Sequence, residues 1–295
     1  MKKILITGSG GFIGRNLKEG LGADREIVAP SSKELDLLNA ERVKKYCEQE
    51  KFDIVIHCAT HNATRNSAKD SNLVLGNNLR MFFNLVRCHD LFGRMLYFGS
   101  GAEYNREFMP PKVTEDYFDT YVPTDDYGFS KYISNLEARR SSNVYNLTIF
   151  GCFGKYEDWQ IRFISNAICK TMYGLDITMR QNVFFDYLYV NDLVRIVKLF
   201  IEAKNLRYHK YNICTGQSVD LQALAKIVLK ISGKNLNIKI AQQGLGREYS
   251  GSNERLLKEF GELKFTPIEK AAEELYGWYQ DYRDQISRDL LLSDK

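Results

Sequence analysis

Metal-ligand and disulfide patterns are missing from this sequence. Only four histidines are present, and the six cysteines (Cys47, Cys58, Cys88, Cys152, Cys169, Cys214) include no C-x-x-C pair. Neither a zinc site, another resident metal nor a disulfide framework is expected. Most of the cysteines sit in apolar runs, as reduced core residues do, which points to the cytoplasm. No block of Lys and Arg is interleaved with aromatics, and the net charge of +4 is mild. That balance suits an anionic ligand and argues against nucleic acid. No apolar run approaches the length of a membrane span, so no membrane partner is expected. Met1-Lys2-Lys3 leads into an apolar stretch too short for a secretory leader, because a glycine-rich turn interrupts it. Repeats, low-complexity stretches and Pro- or Ser-rich linkers are absent too. The 295 residues read as one large α/β unit or two closely connected lobes.

What is present is a strand, a glycine-rich turn and a helix start, in that order. Lys3-Ile4-Leu5-Ile6-Thr7 reads as a buried strand, Gly8-Ser9-Gly10-Gly11-Phe12-Ile13-Gly14 as the turn, and Arg15 to Glu19 as the helix. Such a unit cradles a pyrophosphate. Gly8 permits the tight turn, Gly11 lets backbone approach the phosphates, and Gly14 lets the helix lie close to the strand. The helix start offers free N–H groups and a partial positive charge. Strands at 26–29, 53–57, 94–98 and 146–150 then alternate with helices at 40–49 (capped by Asn39), 74–88 and 127–140. This rhythm predicts a Rossmann-type doubly wound parallel sheet. The second half is less regular, with helices at 161–173, 192–203, 221–231 and 268–282 and strands at 211–213 and 236–240. It predicts a smaller α/β lobe with a cleft between the two.

Tyr127-Gly128-Phe129-Ser130-Lys131 places a phenol and an ammonium at i and i+4, on one helix face. A cation beside a phenol favours the phenolate, which makes a tyrosine useful as an acid or base near neutral pH. Ser100 lies just past a strand, where the ligand-facing groups of a parallel sheet gather.

Together, Gly8-x-x-Gly11-x-x-Gly14, Asp53 to Ala59, Gly99-Ser100 and Tyr127-x-x-x-Lys131 resemble the extended short-chain dehydrogenase/reductase family. Its members include nucleotide-sugar epimerases, dehydratases and ketoreductases. The resemblance continues through Phe185 to Asp192, Tyr211 to Gly216 and Gly277-Trp278-Tyr279, and so covers nearly the whole chain. It implies that Tyr127 is the acid/base, that Lys131 binds the nicotinamide ribose and tunes Tyr127, and that Ser100 hydrogen-bonds the reacting oxygen. It implies that Gly8, Gly10, Gly11, Phe12, Ile13 and Gly14 hold the cofactor diphosphate, that Asp36 and Leu37 line the adenine, and that Cys58, Ala59 and Thr60 pass under the cofactor with Asn78 supporting them. Arg247 matches an arginine that grips the substrate diphosphate. A homodimer through the helices that begin near Val74 and Tyr127 is implied as well.

Departures from the family pattern narrow the chemistry. The 4,6-dehydratases carry an Asp-Glu pair directly after the serine or threonine; here those positions are Gly101 and Ala102, and Glu103 is one residue late and should point elsewhere. GDP-fucose synthase-like enzymes place a cysteine at the Ala102 position, and alanine cannot move a proton. What remains is hydride transfer at a single carbon. Where NAD-selective members carry an acid at the end of the second strand, this chain has Ser31, Ser32 and Lys33, which suit a 2′-phosphate. NADP is therefore expected, with NAD as the alternative. The family's first diphosphate arginine is replaced by Phe185, with Arg180 or Arg162 as substitutes, and its Asn-Val-Tyr-Gly appears as Gly151-Cys152-Phe153-Gly154. Tyr104, Asn105 and Arg106 are expected to flank the sugar.

The resulting expectation is an NADP-dependent reductase of a nucleotide-linked 4-keto deoxysugar. A nucleotide-sugar 4-epimerase with retained cofactor is the same-fold alternative, and a non-catalytic NADP-binding sensor or scaffold is the alternative of another class. Residues 1–151 form the dinucleotide-binding domain, with 186–215 returning to it. Residues 152–185 and 216–295 form the substrate lobe.

Overall fold

The computed structural model describes residues 1–22, 25–64 and 68–292. Its first half alternates β1 (Lys3–Thr7), α1 (Phe12–Gly20), β2 (Glu26–Val28), α2 (Ala40–Glu50), β3 (Ile54–His57), α3 (Val74–Val86), β4 (Arg94–Ser100), α4 (Asp126–Arg140) and β5 (Val144–Ile149). The second half holds β6 (Gly151–Phe153), α5 (Phe163–Met172), β7 (Ile177–Asn182), β8 (Phe184–Tyr189), α6 (Val190–Glu202), β9 (Lys210–Ile213), β10 (Ser218–Asp220), α7 (Leu221–Ser232), β11 (Ile238–Leu245), α8 (Glu254–Phe260), α9 (Ile268–Asp281) and α10 (Arg288–Leu292).

Six strands form a parallel sheet in the order β2-β1-β3-β4-β5-β9. Alternation sorts each central strand between two cores. Ile4, Ile6, Ile54, Ile56, Leu96 and Phe98 face the layer that contains α1 and α6. Leu5, Val55, Met95 and Tyr97 face the layer that contains α2 and α3. Strands buried on both faces read as continuous apolar runs, which is why these were visible in the sequence. Asn39 caps α2 by accepting the Arg42 amide at 3.1 Å.

Strand order reverses between β1 and β3, and in open α/β sheets the crevice at such a switch takes the ligand. The two strands are tied at that edge. Thr7 Oγ1 lies 2.8 Å from His57 Nδ1, and burial, followed by the nearby Lys131 charge, pushes the imidazole down to about 3. His57 is thus a neutral hydrogen-bonding group inside the fold.

After β5 the chain leaves the large sheet. β6 and β10 flank β8 in a three-stranded sheet, β7 pairs with β11, and α5, α7 and α9 pack with them around a separate core that includes Phe153, Ile168, Leu224 and Tyr279. α6 and β9 return to the first layer, with α6 against α1 and β9 on the sheet edge. β7 and β8 are absent from the strands read in the sequence. Phe184-Phe185-Asp186-Tyr187-Leu188-Tyr189 shows no clean alternation, because Asp186 is itself buried. Asp186 accepts the Thr215 amide at 2.8 Å, the Thr215 hydroxyl at 2.7 Å and the Gly216 amide at 2.7 Å. β11 also extends past the expected 236–240, through Ala241-Gln242-Gln243-Gly244, a solvent-exposed stretch without an apolar signature.

Candidate active site

The turn after β1 is built for close approach. Gly8 adopts φ +68°, and a Cβ there would lie 2.6 Å from the Ala59 backbone. A Cβ on Gly14 would collide with the Gly8 carbonyl. By contrast, Gly10 has no neighbour where a side chain would go, and Gly11 meets only the Gly8 carbonyl at 3.4 Å. Gly11 starts α1 without a side-chain cap, and the first helical bond is made by the Arg15 amide to the Gly11 carbonyl. The amides of Phe12, Ile13 and Gly14 precede that bond. Open space over free N–H groups at a helix start fits a dinucleotide diphosphate.

A cavity of about 760 Å³ runs from this turn past the ends of β3, β4 and β5 into the second half of the chain. Phe12, Ile13, Cys58, Thr60, Ser100, Tyr127, Lys131, Arg162 and Arg247 line it, so residues far apart in the sequence meet there. Asn78 lies behind the lining. Its Oδ1 accepts the His61 amide at 2.7 Å and the Thr60 hydroxyl at 3.2 Å, which braces the loop after β3. After β2, at the residues expected to line the adenine, Asp36 Oδ1 accepts the Leu38 amide at 3.0 Å, and Leu37 is buried. Ser31, Ser32 and Lys33 are exposed, and the Ser31 amide donates to Glu34 Oε2 at 2.7 Å.

α4 carries the phenol and the ammonium. Asp125 caps it by accepting the Gly128 amide at 2.8 Å. Lys131 Nζ lies 5.7 Å from the Tyr127 ring centre and 4.6 Å from that of Tyr97, and donates to the Phe98 carbonyl at 2.8 Å. Burial works against its charge, but the Tyr97 and Tyr127 hydroxyls and Glu103 outweigh it, so its pKa is raised and the cation is kept. Ser100 ends β4 on the same wall, and its Oγ accepts the Ala102 amide at 3.3 Å.

Glu103 points away from this wall. It is fully buried, paired with Lys210 at 2.9 Å, and accepts from Thr148 Oγ1 at 2.7 Å and from Asn135 at 3.0 Å. Burial, only partly countered by Glu103, lowers Lys210 to about 8.

Three expected substrate contacts are corrected. Tyr104 is buried, its ring lies against Lys210, and its hydroxyl donates to Asn212 Oδ1 at 2.5 Å; it belongs to the core beneath the site. Asn105 is buried too and shapes a turn, with φ +60° and its amide on the Val122 carbonyl at 2.9 Å. Both follow a serine strand that turns inward at Gly101, which carries them below the cavity floor. Arg180 is exposed on β7 and lies outside the cavity lining. Arg106 does line it.

Two lining residues had no signal in the sequence. Tyr249 follows β11 outside any motif. Glu157 follows β6, is buried, and accepts from Ser165 Oγ; burial, against that bond and Arg162, pushes its carboxyl up to about 8.

A family model described as the NAD dependent epimerase/dehydratase family matches residues 4–214. The chain belongs to that family. It is an NAD(P)-dependent enzyme of the extended short-chain dehydrogenase/reductase type. A GDP-L-colitose synthase from Yersinia pseudotuberculosis is 26% identical, over 88% of this chain and 92% of that protein. A UDP-glucose 4-epimerase from Pisum sativum is 24% identical over 94% and 95%. Among solved structures, a GDP-mannoheptose C4 reductase from Campylobacter jejuni with NADP bound superposes with a TM-score of 0.81 at 17% identity, covering 95% of this chain and 98% of that one. Among the described residues, no helix is long and apolar enough to cross a membrane.

Proposed function

We propose that the enzyme reduces a nucleotide-linked 4-keto deoxysugar with NADPH. The observation that carries this reading is the composition of the catalytic wall. Ser100, Tyr127 and Lys131 line one cavity, while Gly101 and Ala102 add no side-chain acid or thiol beside them. Such a wall supports proton delivery to one oxygen and lacks the groups for elimination or for epimerisation beside a ketone. The names of relatives that act on nucleotide sugars support the substrate class.

On this reading, residues 1–151 with 186–215 hold the cofactor and 152–185 with 216–295 hold the sugar. The glycine turn would hold the cofactor diphosphate, and the loop after β3 with Lys131 would hold the nicotinamide half. Ser31, Ser32 and Lys33 face the adenosine ribose. When bound there, the nicotinamide would supply the hydride for the keto carbon. Tyr127 gives its proton to the carbonyl oxygen as that oxygen gains charge, Ser100 hydrogen-bonds the same oxygen, and Lys131 stabilises the phenolate left behind. Arg162 and Arg247 at the cavity rim neutralise the substrate diphosphate. The test is NADPH oxidation across a panel of 4-keto sugar nucleotides. Tyr127→Phe should bind NADPH normally and lose turnover by about a hundredfold or more; undiminished turnover overturns the reading.

One observation favours a second reading. Glu34 brings a carboxylate to the Ser31 amide, and an acid near the adenosine ribose suits NAD. A 4-epimerase that retains NAD would be recognised by cofactor that survives purification and by sugar interconversion without net NADPH consumption.

A further inference from the structure

Tyr249 stands at the catalytic end of the cavity with its position fixed from several sides. Its amide donates to the Phe184 carbonyl at 2.8 Å, and its carbonyl accepts the Asp186 amide at 3.0 Å, so its backbone is stitched to β8. Its ring packs against Phe150 and Phe185, at 5.3 and 5.7 Å between centres, and the Arg106 guanidinium lies 5.9 Å from the ring centre. The hydroxyl that this packing aims lies 3.5 Å from Ser100 Oγ, at the outer limit of a hydrogen bond. Two hydroxyls at that separation can both reach one oxygen placed between them. Gly101 makes the room: a Cβ there would lie 2.5 Å from the Tyr249 hydroxyl oxygen. Burial raises the phenol's pKa, so it stays protonated near neutral pH and available as a donor.

We propose that Tyr249 is a substrate-contacting residue whose hydroxyl, together with that of Ser100, holds one oxygen of the sugar at the end of β4. This rests on the nucleotide-sugar reading above and adds a second contact to it. No bond to hydrogen breaks at Tyr249; the proton still comes from Tyr127. Removing the Tyr249 hydroxyl therefore weakens the grip on the sugar and leaves the cofactor untouched.

Tyr249→Phe keeps the ring and its packing. The wild type and this variant, each loaded with NADP+, would be titrated calorimetrically with GDP-, UDP- and dTDP-linked hexoses. NADPH binding would be followed by fluorescence and folding by thermal melting. The variant should bind the recognised sugar nucleotide about ten- to a hundredfold more weakly, the effect of losing one hydrogen bond to a bound ligand. NADPH affinity and melting temperature should be unchanged, and in turnover KM should rise more than kcat falls. Unaltered sugar-nucleotide affinity overturns the inference and leaves the substrate reading standing. An equal loss of NADPH affinity also overturns it, since the residue would then be a general support. A wild type that binds none of the sugar nucleotides overturns the substrate reading, and this inference falls with it.

Discussion

The Ser31 amide, which on the proposed reading lies near the adenosine ribose, is taken by Glu34 at 2.7 Å. That bond from the Ser31 backbone, followed by one from its side chain, lowers the Glu34 carboxyl's pKa and keeps it ionised. A 2′-phosphate entering beside Ser31, Ser32 and Lys33 would meet that charge. Glu34→Gln should therefore lower KM for NADPH severalfold and not lower KM for NADH, measured by initial rates with each cofactor. Glu157 carries a different prediction. Its folded pKa of about 8 lies above the ordinary 4.5 because burial penalises the anion. The folded state then binds the extra proton, so this group's contribution to stability is greatest below about 4.5 and is lost as pH rises towards 8. Glu157→Gln removes that slope. Its melting temperature relative to wild type should climb from pH 5 to pH 8, and a constant difference would refute the account. Neither residue was legible. Glu157 is a lone acid in a loop, and Glu34 gains its meaning from where the Ser31 amide points. Tyr127, Lys131 and Ser100 were legible because helix periodicity and strand ends place side chains by rule.

α4 shows how an element can be readable in extent and opaque in detail. Its span differs from the sequence reading by one residue at the start, and its capping Asp125 is a standard N-cap type. What the sequence could not show is how tightly its first turn sits. A Cβ on Gly128 would lie 2.8 Å from Asp125 Oδ2 and 2.9 Å from the Ala102 carbonyl oxygen. Gly128→Ala must then shift the helix start away from the loop after Ser100. It should lower the melting temperature and reduce kcat together, because Tyr127 neighbours the displaced residue; a melt and rate equal to wild type would contradict that packing. β7, β8 and the far end of β11 were unreadable for a related reason. Their pattern serves partners in two small sheets, so no single two-residue alternation survives in them.

For the whole molecule, the first-half topology was legible because its central strands are buried on both faces. The second-half sheets were not, since they are short and mixed in direction. The resemblance implies a homodimer through α3 and α4. Leu75, Leu79 and Phe83 on α3, and Phe129, Ile133 and Leu136 on α4, form partly exposed apolar stripes at helical spacing on two helices that pack together. We propose that these stripes pair between two copies. Light scattering should give twice the 34.1 kDa of one chain, and Leu79→Glu combined with Ile133→Glu should give the single-chain mass; a wild-type monomer would end the proposal.

Gly101 and Tyr249 share one small volume at the floor of this site. A side chain at position 101 clashes with the phenol as it stands, so substitutions at the two positions are coupled. A mutational path towards a side-chain acid at position 101, and so towards a different reaction, is closed to single steps. It opens only once the Tyr249 phenol and the edge of the Phe150 ring, which a Cβ there would meet at 2.8 Å, have both given way. The present chemistry is thus guarded by a steric lock between two segments distant in the chain, and the reaction this scaffold can next acquire depends on which half of that lock is released first.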